Sequence, residues 1–175
     1  PLLRREIPAH IHAHRADDIM TAIRIMHEFN IRFCIVHATD GARIAKHLAK
    51  EDFIPLIGPS EGPASKPETI GVGFATAGQL AAEGIEVAIT TDHNVQPLWQ
   101  LPTYAAMCVR EGLSEEAALR AITIVPAKAL GVEDRVGSIA EGKDADIVVL
   151  TGHPFLYTTK LSAVFVNGEK KVYNK

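Results

Sequence analysis

The order of apolar patterns predicts an α/β chain with parallel strands, followed by a small β region. Three observations carry this. Short continuous apolar runs alternate with helix-period segments as far as Gly131, and from Val136 onward the pattern turns to strand character. Three of the apolar runs also end in, or run straight into, a side chain able to bind a metal: His12, His37 and Asp92. Parallel neighbours need a helix to carry the chain back, so strand-helix alternation implies right-handed crossovers. In such a sheet or barrel the carboxyl ends of the strands open on one face, where sites are built.

The first strand, around Ile7 to Ala13, alternates between two kinds of residue. His10, His12 and His14 fall on one face, and Ile7, Ala9, Ile11 and Ala13 on the other. Asp17 and Asp18 suit the start of a helix, and Ile19, Ala22, Ile23, Met26 and Phe29 recur at its period, predicting a helix over about 16–29. Ile31–His37 reads as a strand buried on both faces, Asp40–Lys50 as a second helix, and Phe53–Ile57 as a third strand. Gly58–Gly73, with three Pro and four Gly residues, is a long loop whose Ser60, Glu61 and Lys66 either face a substrate or are simply solvated. Phe74–Glu83 is a short helix and Val87–Asp92 a fourth strand. Leu98, Leu101, Ala105, Cys108 and Val109 form the stripe of the next helix. Ser114 caps another, with Glu115 and Glu116 in its first turn. Pro126 leaves room for only a short further helix, stopped at Gly131. Ala145–Leu150, Ser162–Val166 and Lys170–Tyr173 are strands, the last two joined by Asn167-Gly168, a hairpin signal because both turn positions take positive φ. His153 has no ligand partner nearby and is assigned to the surface.

With 175 residues, 47% hydrophobic and 22% charged, the chain can bury a core of its own. The net charge of −3 comes from interleaved acids and bases. No basic stripe suggests nucleic acid and no polybasic or membrane-length apolar segment suggests a membrane, which leaves a small-molecule substrate as the expected partner. Cys34 and Cys108 lack disulfide spacing and favour a reducing, cytoplasmic setting. The start at Pro1, without Met, suggests a longer original polypeptide.

A lone histidine on an apolar strand is more often a hydrogen-bonded core residue than a ligand. Three at period two, with His37 and Asp92 at other strand ends, shift the reading toward metal. Two imidazoles and a carboxylate suit zinc or a related first-row ion, which makes water nucleophilic near neutral pH. Asp92 could then take a proton from water and return it to a leaving nitrogen.

The residues His12-Ala13-His14-Arg15, Val36-His37-Ala38-Thr39 and Thr90-Thr91-Asp92-His93 resemble the amidohydrolase superfamily, in its imidazolonepropionase-like and prolidase-like branch. So do Ile124–Gly131, Gly137–Ile139 and Glu141–Ile147. The resemblance implies the C-terminal half of a TIM-type (β/α)8 barrel, about four strand-helix units over residues 1–132, followed by a small β-sandwich-like segment over 133–175. It implies His12, His37 and Asp92 as metal ligands, Asp92 also as the catalytic proton shuttle, and His14, Arg15 and His93 as substrate-contacting residues. Zinc is the implied ion, with iron or manganese as alternatives. The implied reaction is hydrolysis of C–N bonds in cyclic amides, amidines or dipeptides; the alternative is a non-catalytic half-barrel that binds metal or assembles.

The first-strand His-x-His pair of that family and its bridging fourth-strand Lys or Glu have no counterpart upstream of His12, and a full barrel needs about 250 residues. Metal binding is therefore expected to be weak, the chain alone inactive, and His37 of little consequence for stability. A cut barrel also exposes strand edges and an inner face, which predicts a two-fold homo-oligomer with Ile35 and Ile57 on the uncovered surface.

Overall fold

The computed structural model describes residues 1–62 and 66–171. Four parallel strands form one sheet in the order β1-β2-β3-β4: Ala9–Ala13, Phe33–His37, Ile54–Ile57 and Ala88–Ile89. Helices α1 (Ala16–Glu28), α2 (Ala45–Leu48) and α3 (Ala75–Ala82) make the crossovers, and α4 (Leu101–Arg110), α5 (Glu115–Ala121) and α6 (Ile124–Leu130) follow the last strand. Strands β5 (Ile147–Leu150), β6 (Leu161–Val166) and β7 (Glu169–Lys171) form a separate antiparallel sheet.

Register decides which side of the main sheet each residue serves. Ile11, Ile35 and Pro55 lie in one row across the strands, and His12, Val36 and Leu56 in the next. The first row faces the helices: Ile35 is fully buried, and Ile57, two residues beyond Pro55, is 2% exposed. This corrects the expectation that Ile35 and Ile57 line an uncovered surface. Because side chains alternate along a strand, the face opposite the helices belongs to His10, His12, Val36, Ile54 and Leu56 instead. The core on the helix side unites Ile19, Ile23, Ile35, Leu48, Leu80, Tyr104 and Cys108.

Local chemistry accounts for most element boundaries. Ser114 Oγ accepts the Ala117 N–H at 3.1 Å and caps α5. Gly131 closes α6 in the left-handed conformation at φ 70, and Pro126 is tolerated in the first turn, where its missing N–H would have had no partner. Asn167 and Gly168 both take positive φ, at 50 and 77, and turn β6 into β7. The predicted helix over Asp40–Lys50 is instead a 3₁₀ turn, Gly41–Ile44, followed by the single turn of α2. Gly41 there faces Ala38, Leu48 and Leu80 at 3.5–3.6 Å from where a Cβ would stand, so tertiary packing shapes this connection more than helix propensity does. Leu98 is exposed on a 3₁₀ turn before α4 and leaves the buried stripe predicted for it. His153 is half-buried, edge-on to Phe155 with ring centroids 5.0 Å apart, rather than on the open surface. Tyr173, the end of the last predicted strand, lies outside the described residues. No helix among the described residues is long and apolar enough to cross a membrane.

Candidate metal centre

Three imidazoles meet at the carboxyl ends of β1 and β2. The ring centroids of His12 and His37 are 4.4 Å apart, those of His14 and His37 4.5 Å, and those of His12 and His14 4.8 Å. One nitrogen from each falls within 4.8 Å of the others.

The backbone builds this meeting. His37 is in register with Ala13 and Ile57, so a regular pleat would turn its ring toward the helices and away from His12. Instead His37 and Ala38 take φ 76 and 43, a conformation that costs non-glycine residues on the order of 1 kcal/mol or more and recurs where function needs it. The His37 ring, 5% exposed, ends against His12 and His14. His14 lies just past the end of β1, hydrogen-bonded through Nδ1 to Thr39 Oγ1 at 2.8 Å and stacked on His37 with an interplanar angle of 2°.

The hydrogen bonds also settle where one proton sits. A carbonyl can only accept, so His37 Nδ1–H donates to the Gly58 carbonyl at 2.6 Å, and the neutral ring presents a lone pair at Nε2. That Nε2 is 3.2 Å from His12 Nδ1, which donates to it when nothing else stands between. Two nitrogens at about 2.0–2.1 Å from a tetrahedral ion lie roughly 3.3 Å apart, so the same pair is spaced to exchange its proton for a metal. The carbonyl partner on Nδ1 is the usual second contact of a metal-binding histidine. Gly58 is required there: at φ 131, a Cβ would run into the Thr90 carbonyl.

Electrostatics favour the neutral, ligating form of His12 and His14. Burial, followed by His37 and His12, pushes His14 down to about 4. His12 is lowered by partial burial and then by His37, while Asp92 opposes the shift. Asp92 follows β4, and its N–H donates to Thr90 Oγ1 at 3.0 Å, which holds the residue at φ 50 on the same end of the sheet. Glu68 and Lys66, from the long loop after β3, also act on His12 and His14.

Of the residues expected from sequence, His12, His37 and His14 come together, and Asp92 lies close enough to act on His12 electrostatically. Arg15 is paired with Asp17 at 2.9 Å and exposed, and His93 is exposed. Within the loop, Ser60 is buried, whereas Glu61 and Lys66 are exposed. His10 stands apart and donates to the Ala129 carbonyl at 3.2 Å. Sequence reasoning missed Thr39 and Gly58 as partners of the imidazoles. The only available signals were a hydroxyl two residues past His37 and a Gly-Pro pair closing a strand.

Parallel strands thus carry three histidines and a carboxylate at their carboxyl ends, a group able to hold a metal ion. The chain matches the amidohydrolase family over residues 4–173 and belongs to it. A solved amidohydrolase from Thermotoga maritima is 42% identical and superposes with a TM-score of 0.94, over 99% of this chain and 45% of that one. An imidazolonepropionase from Flavobacterium psychrophilum is 28% identical over 125 residues, 68% of this chain and 30% of its own length. An adenosine deaminase from Xanthomonas campestris, solved with zinc bound, shares the fold at 23% identity and a TM-score of 0.67, over 94% of this chain and 45% of that one. The chain thus spans less than half the length of these relatives.

Proposed function

We propose that this chain is the metal-binding half of a (β/α)8 hydrolase acting on C–N bonds of cyclic amides, amidines or dipeptides. The observation that carries the reading is the 3.2 Å approach of His12 Nδ1 to His37 Nε2, with the His37 tautomer fixed by the Gly58 carbonyl. His12, His37 and His14 would hold one divalent ion, zinc before iron or manganese. Such an ion supplies a Lewis acid that makes water nucleophilic near neutral pH. The chain's own groups, side chains and the Gly58 carbonyl, do the rest. Thr39 orients His14, Gly58 orients His37, and Asp92 takes a proton from attacking water and passes it to the departing nitrogen. His93 and Arg15, both exposed beyond these strand ends, would contact substrate.

The half-barrel reading is supported by the free edges of β1 and β4 and by the 45% of the Thermotoga maritima chain that this one covers. The open face with its half-buried Val36 and Leu56 favours a two-fold homodimer that shields it. The buried free thiols of Cys34 and Cys108 fit a cytoplasmic setting. The experiment is a hydrolysis screen on cyclic amides, amidines and Xaa-Pro dipeptides with zinc-loaded protein, the chain alone beside the chain mixed with the complementary half of a relative. Turnover in the mixture, abolished by Asp92→Asn, is expected. Full zinc loading with no turnover in either sample would favour the non-catalytic binding module.

A further inference from the structure

The amino ends of the strands carry a second recess, away from the histidines. Phe33 and His37 stand at opposite ends of β2, so about 13 Å of strand separates the two places. The approach to β1, the turn between α1 and β2, the start of β3 and helix α6 enclose a cavity of about 310 Å³. That is at the lower end of the roughly 300–1,000 Å³ typical of small-molecule sites.

Its floor is aromatic and its rim cationic. Phe33 and Phe53 stack with ring centroids 5.3 Å apart and 13° between planes. Arg5, Arg32 and Lys128 line the opening against one acid, Asp52. The three cations are not equally committed. Lys128 is paired with Glu86 at 2.5 Å, a carboxylate it shares with Arg120. Arg5 donates to the Asn30 amide oxygen at 2.5 Å, a neutral partner that fixes the guanidinium, and it pairs with no acid among the described residues. Arg32 pairs with no acid among the described residues. Two guanidinium groups with no acid partner among the described residues therefore border a recess that has the half-buried Phe53 in its floor.

From this we infer that the recess binds a small planar acid, with its carboxylate on Arg32 and Arg5 and its ring against the half-buried Phe53, behind which Phe33 is stacked. A guanidinium presents a planar fork of donors that matches a carboxylate, and stacked phenyl rings favour a flat apolar body. Charge alone would hold any anion and the floor alone any apolar ring; the combination selects a molecule with both. The site is independent of the metal reading, since it shares no side chain with the histidine cluster.

Benzoate is the probe, followed by methyl NMR of the 175-residue chain with its Ile and Met methyls labelled. Ile31 and Met26, both in the lining, report on the recess. Saturable shifts at these two methyls are expected. Benzamide, which lacks the charge, and acetate, which lacks the ring, should each bind at least about tenfold more weakly. Arg32→Glu should weaken benzoate by at least as much, and Arg5→Gln by less, with methyl spectra showing both variants folded. His12→Ala should leave benzoate affinity unchanged. The inference is overturned if benzoate shifts only signals near the histidines, if benzamide binds as well as benzoate, if Arg32→Glu changes nothing, or if millimolar benzoate gives no saturable shift.

Discussion

The two faces of the parallel sheet use the same strands for different ends. On the helix side, Ile35, Pro55 and Ile57 are sealed into a core with Ile19, Leu48 and Leu80. On the other side, neighbouring residues of the same strands are His10 and His12, exposed, and Val36, Ile54 and Leu56, half-buried. One face holds the fold together, and the other is kept for chemistry and for whatever closes over it. The helix face should therefore dominate stability and the open face should dominate metal binding, and each can be perturbed without the other.

The largest effect should come from the sealed face. Ile35→Ala is expected to destabilise by about 2–5 kcal/mol, the usual range for emptying a buried aliphatic site. Val36→Ala, one residue along, should cost markedly less in the monomer. Urea unfolding of both variants checks the contrast, and equal losses would mean that the open face is covered in solution. Light scattering then decides between cover by a second copy, expected here as a two-fold dimer, and closure within one chain.

His37 crosses the divide, and its substitution sharpens the comparison. The sequence suggested that His37→Ala would cost little stability. The structure corrects this, because the ring is buried and its bond to the Gly58 carbonyl would be lost, leaving that acceptor unsatisfied at a cost of about 1–3 kcal/mol. Thermal unfolding of metal-free protein tests this separately from ligation.

The smallest effect is a pH dependence. His14 titrates near 4 in the folded chain and near its ordinary 6.5 when unfolded. The unfolded state therefore binds the extra proton first. The contribution is fully present above pH 6.5 and is lost as pH falls toward 4. Chemical unfolding of metal-free protein across that window should show the decline, and His14→Gln should flatten it.

Much of this was legible in the sequence because it follows from local pattern. Alternating apolar runs gave the four strands, Ser114 and Gly131 their helix boundaries, and Asn167-Gly168 its hairpin. The strand-end positions of His12, His37 and Asp92 were legible for the same reason. What was hidden depended on register and on backbone departures from it. Periodicity within one strand cannot say that Ile35 pairs with Ile11 rather than with His12, so Ile35 and Ile57 were placed on the wrong face. Nor does a pleated pattern foresee the positive φ of His37 and Ala38 that swings the ring toward His12. The cationic recess was out of reach because Arg5, Arg32 and Lys128 meet only in three dimensions.

These details also change the count of ligands. Weak metal binding was expected because the first-strand His-x-His pair and the bridging fourth-strand residue have no counterpart here, with His14 read as a substrate contact rather than a ligand. His14, with a nitrogen within 4.8 Å of those of His12 and His37, adds a third imidazole to the group that could hold a metal, and the proposed ion then has three nitrogen ligands. Zinc titration of the metal-free chain by calorimetry, with the bound metal counted after gel filtration, tests this most directly. One zinc per chain is predicted for the unmodified protein, with binding weakened by at least about tenfold in His12→Ala, His14→Ala and His37→Ala, and unchanged in His10→Ala. Absence of bound zinc, or a stoichiometric zinc that survives loss of His37, would contradict the assignment of this cluster as the metal centre.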